Sequence, residues 1–142
     1  MTIAASLKIL AKLCSTAASK CLERKLAMGP KPDDPIEALV WDQERTRLSG
    51  QIDSLSAMNV HLGSASIAAA LKDFSDELNF IAGVSKDANS EIRKIKQVSQ
   101  LLTKVARVLD LGLAVIAAAA NPGAAAIGAA LKAANAVSEA SE

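Results

Sequence analysis

LGLAVIAAAANPGAAAIGAAL, residues 111–131, runs for twenty-one positions without a charge between Asp110 and Lys132. Ten of these positions are alanine, and Asn121-Pro122-Gly123 stands at the centre. Alanine and leucine favour helix, whereas an Asn-Pro-Gly sequence breaks it and turns the chain. The stretch therefore predicts two apolar helical arms joined by a turn at 121–123, the second running over 124–137. A membrane-spanning helix needs about 20 predominantly apolar residues. The run has that length, but alanine is weakly apolar and the turn divides it, so neither arm suffices alone. The expectation is a hairpin sheltered in a folded protein, whose Leu111, Leu113, Val115, Ile116, Ile127 and Leu131 enter lipid when copies assemble. Ala120, Ala124 and Gly128 recur at every fourth position, a spacing at which small residues let helix backbones approach closely; they are the expected packing positions.

Upstream of this run, Ile92, Ile95, Val98, Leu102, Val105 and Leu109 advance by threes and fours. They predict a helix over 91–120, with Arg93, Lys94, Lys96, Lys104 and Arg107 on an opposite, basic face. GVSKDANS, residues 83–90, reads as the turn before it. From 36 to 82 one apolar seam passes through Leu48, Ile52, Leu55 and Leu62, and a second through Ile67, Leu71, Phe74, Leu78 and Ile81, predicting a long helix or two. Gly50 and Gly63 mark kinks or close contacts within it. MGPKPDDP, residues 28–35, holds three of the four prolines and forms the linker. Asp33, Asp34 and Glu37 beyond it suit the positive end of the next helix. Over residues 1–27, Thr2 can cap a basic amphipathic helix with the seam Ile3, Leu7, Leu10, Cys14, Ala17 and Cys21, and residues 138–142 read as a polar tail.

The 142 residues fit one domain, with 51% apolar but only 2% aromatic residues. Trp41, Phe74 and Phe80 are the whole aromatic set, so the core must come from Leu, Ile, Val and Ala. Strand-favouring residues are sparse. The fold expected is all-α: an elongated antiparallel helical bundle ending in an Ala/Gly-rich apolar C-terminal helical hairpin. Net charge is +1, but charge is blocked: +5 over residues 1–32, −5 over 33–44 and +4 over 86–107. Lys8, Lys12 and Lys20 in the first block and the five cations of 93–107 are the expected contacts with an anionic lipid surface. The plainer reading of the first helix is a bundle helix with a solvated basic face. Cys14 and Cys21 stand seven residues apart, about 10 Å along a helix, too far to bridge one another. They read as core thiols of a reducing compartment.

No glycine-rich phosphate loop, metal-ligand spacing, nucleophile elbow or Cys/His/acid arrangement appears. His61 is the single histidine. An enzyme, a metal site and a cofactor are not expected. The basic helix lacks the aromatics that nucleic-acid binding would use, so no nucleic-acid partner is expected either.

Long amphipathic helices joined to the uncharged hairpin over Val105–Val137 resemble the α-helical pore-forming proteins, both colicin-type channel domains and haemolysin-type toxins. The resemblance implies conversion from a soluble to a membrane form with homo-oligomerisation. The alternative is a soluble helical interaction protein, an adaptor, chaperone or scaffold with a helical protein partner. Lys8 and Lys12 interrupt any secretory signal, so the expected location is cytoplasmic when soluble, membrane-associated, or exported without a cleaved leader.

Overall fold

Thr2 opens the first helix as its side chain predicts: in the structure, a computed structural model describing residues 1–139, its Oγ1 accepts from the Ala5 amide at 3.0 Å. Helix α1 (Ile3–Ala27) gives way at Gly29, whose φ of +71° lies in the left-handed region that glycine enters without penalty. Asp34 then accepts from the Glu37 amide at 3.0 Å and Pro35 fills the first turn, so α2 (Pro35–Leu62) starts where capping chemistry directs. The short α3 (Ala65–Ala70) is capped by Ser64. It is followed by α4 (Ser75–Lys94), α5 (Val98–Ala120) and α6 (Ala124–Glu139). No strand occurs among the described residues. Helix α6 takes in the start of the expected polar tail, whose last three residues lie outside those described.

Side-chain pairings set the helix directions. Arg24 meets Glu44 and Cys21 approaches Gln51, so α1 and α2 run antiparallel. Ser6 pairs with Asn79 and Lys20 with the Arg93 carbonyl, both 73 positions apart, so α4 runs parallel to α1. Gln51 reaches the Leu102 carbonyl while Met58 lies on Gly112, making α5 parallel to α2. The five long helices close a ring in the order α1, α2, α5, α6, α4, with α1 also touching α5 across it. Consecutive long helices are antiparallel, and the all-α bundle expectation holds.

The core is aliphatic, as the composition requires. Leu7, Leu10, Leu13, Cys14, Ala17 and Cys21 of α1 are buried, together with Leu48, Leu55 and Leu62 of α2 and Leu78, Ile81 and Ile92 of α4. Phe74 and Trp41 are only half-buried, and the Arg45 guanidinium stacks 5.3 Å from the Trp41 ring centre. Trp41 is thus a packing residue.

Two local expectations are corrected. Residues 83–90 form no turn; they lie inside α4, because Ile81, Ala82, Ser85, Ala88 and Ile92 form one buried stripe against the core. Gly83, Asp87 and Asn89 disfavour helix by up to about 1 kcal/mol each, less than burial of that stripe contributes at about 25 cal/mol per Å². The break falls at 95–97 instead, where Ile95 turns extended (ψ 130°), so the helix expected over 91–120 is shared between two elements. The 36–82 region likewise divides into α2, α3 and the start of α4.

The close helix contact is also elsewhere than expected. Gly50 is exposed in mid-helix with open space beside it, and Gly63 ends α2. The glycine that matters is Gly112, where an added Cβ would lie 2.6 Å from the Met58 sulfur and 2.8 Å from its Cγ. A side chain there must displace Met58. Gly112→Val should lower stability by about 2 kcal/mol, the usual scale of overpacking, and Met58→Ala should cost less in the Gly112→Val background than in the wild type. Urea unfolding of the four proteins of this double-mutant cycle measures the coupling; strict additivity would mean that the two helices do not meet there.

Candidate functional site

The apolar hairpin packs on the bundle through one face. Leu111, Val115 and Ala118 of α5 and Ile127, Ala130, Ala134 and Val137 of α6 are buried, each set at steps of three and four. Leu111, Val115 and Ile127, expected to be available to lipid, are therefore core residues; Ile116 and Leu131 are half-buried, and Leu113 is 59% exposed. The expected packing residues Ala120, Ala124 and Gly128 are exposed instead. Their four-residue stripe lies on the outer face because the larger aliphatic side chains have taken the inner one. No helix among the described residues is long and apolar enough to cross a membrane.

Tertiary structure adds to this hairpin what the chain order conceals. The parallel runs of α2 and α5 bring the end of α2 beside the end of α5: Val60, His61 and Ile67 share a cleft of about 410 Å³ with Ile116, Ala119 and Ala120. The start of α1 meets the α2–α3 junction in a second cleft of about 430 Å³, between Thr2, Ala5 and Leu7 on one side and Leu62, Gly63 and Ala68 on the other. Residues 1–7, 54–71 and 111–131 carry no ionisable side chain except His61. These segments give one end of the bundle a face without acidic or basic side chains other than His61, flanked by Lys8 and by the start of α4 with Lys72, Asp73, Asp76 and Glu77. Val60 is 74% exposed in this region, where a run of exposed Ala, Ser and Gly supplies the remaining surface.

The expected lipid-contacting cations do not share one surface. Lys12, Lys20 and Arg93 line a groove between α1 and α4, and Lys96 lines a second one that opens where α4 gives way to α5. Lys8 and Lys94 are exposed, and Arg107 pairs with Asp110 at 3.7 Å. Lys104 departs from its expected role altogether. Its side chain is 0% exposed, and its ammonium donates to Glu91 Oε2 at 2.7 Å and to the Val137 carbonyl at 2.5 Å. The ammonium thereby ties α5 to α4 and to the C-terminal part of α6, where backbone carbonyls carry the negative end of the helix dipole. The signal was present in the sequence, since Leu101, Lys104, Val108, Leu111, Val115 and Ala118 form an unbroken three-four stripe.

At the opposite end of the bundle, Leu26, Ile36, Leu39 and Val40 are 59–75% exposed. Val40, Val98 and Leu102 line a groove of about 720 Å³ there, with Glu44, Thr46 and Arg47 along it. Asp42 and Glu44 are already paired with Lys31 and Arg24. Both thiols are free and buried, and loss of hydration pushes Cys14 up to about 12 and Cys21 to about 11. No group of residues suited to hold a metal occurs among those described.

No family model, curated protein or solved structure matches the chain.

Lys104→Ala should cost about 3 kcal/mol, because it leaves the Val137 carbonyl and Glu91 without their buried cation. Glu91→Gln, at a carboxylate whose side chain is 40% exposed, should cost about 1 kcal/mol. Denaturant midpoints check the order, and equal losses would contradict it. At pH 8 a thiol reagent should modify neither cysteine in the native protein and both in denaturant, as thiolate is the reactive form. The folded thiols titrate above their ordinary value of 9.0. Their contribution to stability is therefore intact below that pH and is lost as pH rises from 9 toward 11–12.

Proposed function

We propose that this is an amphitropic helical protein that docks on membranes through the uncharged face beside its hairpin turn and self-associates there. The single observation that carries the reading is the convergence of three segments, 1–7, 54–71 and 111–131, that carry no ionisable side chain except His61, on one face at one end of the molecule. Moving a charge into lipid costs several kcal/mol, and a face built from these segments avoids that cost while the charges at the start of α4 stay to its side. Its exposed side chains are mostly small, so one copy gains little apolar burial in a bilayer; several copies on one surface gain by multivalency. Full insertion requires the α5–α6 hairpin to exchange Leu111, Val115 and Ile127 from the core into lipid, in the manner of the pore-forming proteins that the hairpin resembles.

A second reading, a helical adaptor or scaffold, is favoured by the exposed Leu26, Ile36, Leu39 and Val40 at the other end. Charged neighbours such as Glu23, Arg24, Lys25 and Glu37 suit that surface to a protein partner rather than to lipid.

The two readings separate by flotation on phosphatidylcholine/phosphatidylglycerol vesicles, followed by sizing of the bound protein. The test uses Ala120→Glu/Ala124→Glu, since both positions are exposed and the change leaves the fold intact, whereas a charge at Ile127 would unfold it. The wild type should float and the double variant should remain dense, with dye release lost in parallel. Wild-type protein that stays dense with every vesicle, while associating in solution through Ile36 and Val40, would overturn the membrane reading in favour of the second.

A further inference from the structure

The groove between α1 and α4 gathers three cations and three hydroxyls, of which only Lys20 is engaged by the fold. Lys12, Ser15, Thr16, Ser19 and Lys20 line it from α1, and Arg93 enters from α4. The 73-residue offset that relates Ser6 to Asn79 also sets Arg93 level with Lys20, whose ammonium donates to the Arg93 carbonyl at 3.2 Å. That bond fixes the wall of the groove and leaves the Arg93 guanidinium available. Among the described residues, Lys12 and Arg93 form no ion pair. The hydroxyls of Ser15, Thr16 and Ser19 likewise make none of the hydrogen bonds found, although a helical hydroxyl can bond back one turn, as Ser85 and Thr103 do here.

Glu23 is the one carboxylate on the groove, 3.8 Å from Lys20 and 73% exposed. Three cations and one carboxylate leave the groove at +2. Lys12 and Lys20 stand eight residues apart, about 12 Å along the helix axis, with the three hydroxyls between them. Cations at both ends of a row of hydroxyl donors match an extended anion with several acceptor oxygens. The cavity, about 300 Å³, is at the small end of ligand sites.

We propose that this groove binds a phosphate-bearing ligand, with one phosphoryl group held by Lys20 and Arg93, a second anionic oxygen by Lys12, and Ser15, Thr16 and Ser19 donating between them. Guanidinium and ammonium groups make short, charge-assisted hydrogen bonds to phosphoryl oxygen. Glu23 acts as a resident competitor for Lys20 and must swing outward when the anion arrives. The site stands on the α1–α4 flank, apart from the uncharged face beside the hairpin turn, and does not depend on membrane docking by that face.

The test has two arms. Pyrophosphate is titrated calorimetrically at low salt, and flotation is compared on phosphatidylcholine vesicles with and without phosphatidic acid. Saturable pyrophosphate binding, weakened about tenfold or more by Lys12→Gln/Arg93→Gln, supports a soluble phosphorylated ligand; tenfold corresponds to about 1.4 kcal/mol. Flotation that requires phosphatidic acid and is lost in the same variant, without pyrophosphate binding, supports a phosphate headgroup. Glu23→Gln should tighten binding several-fold in whichever arm responds, and Lys132→Gln, which removes an exposed cation on α6, should change nothing. Thermal melts establish that all variants are folded. The proposal is overturned if neither arm responds, or if Lys132→Gln weakens binding as much as the groove variant does. Ala120→Glu/Ala124→Glu should leave the pyrophosphate titration unchanged, so failure of membrane docking and failure of this site are separate results.

Discussion

An ammonium group with no solvent access sits between three helices: Lys104 of α5 donates to Glu91 of α4 and to the Val137 carbonyl in the last turn of α6. Ion desolvation is expensive, and these two bonds with the negative end of the α6 dipole offset it only while all three helices stay in place. The tie therefore fixes the level at which α6 lies on α5, and with it the turn at 121–123 at the far end. The apolar hairpin is anchored at its base by a charge and closed at its tip by an Asn-Pro-Gly turn. Opening the hairpin would expose its buried aliphatic face and also leave that cation to find new partners.

The rest of the core works under a different constraint. With three aromatic residues in the chain and none of them fully buried, cohesion depends on many small aliphatic contacts. Close approach of backbones then becomes the means of excluding water, and the fit of Met58 over Gly112 is its clearest instance. Helix α1, with Ala11, Cys14, Ala17 and Cys21 buried along one side, is narrow enough to pack against α2, α4 and α5 together. The same economy of side-chain size leaves shallow clefts where elements meet, and both proposed surfaces lie at such meetings. One is the uncharged face beside the hairpin turn; the other is the cationic flank between α1 and α4.

These two surfaces divide the charge blocks seen along the chain. The basic block at the start of the chain contributes to the α1–α4 flank, where it meets Arg93 from the third block. The acidic block at 33–44 spends part of its charge on Arg24 and Lys31. At the end holding the hairpin turn, charge is confined to Lys8 and the start of α4, which leaves the face made by α2, α3, α5 and α6 uncharged except for His61.

Local chemistry in the sequence determined the helical class, the cap at Thr2, the start of α2 at Asp34-Pro35 and the turn at Asn121-Pro122-Gly123. Each of these depends on neighbouring residues alone: a hydroxyl or carboxylate within reach of an amide, a fixed proline φ, a glycine. Periodicity also gave five buried positions of α1, Leu7, Leu10, Cys14, Ala17 and Cys21, while Ser6, Ala11 and Leu13 join them because the helix is packed on more than one side. Tertiary structure alone decided how wide a face of α5 turns inward: packing against α2, α4 and α6 buries Leu102 and Val105 of the expected stripe and also the neighbouring stripe that contains Lys104. It likewise decided that 83–90 stays helical, since the burial that overrides weak propensity involves residues distant in the chain. The uncharged face and the groove of Lys12, Lys20 and Arg93 share that origin: each is assembled from segments dozens of residues apart, and no window along a linear chain contains them.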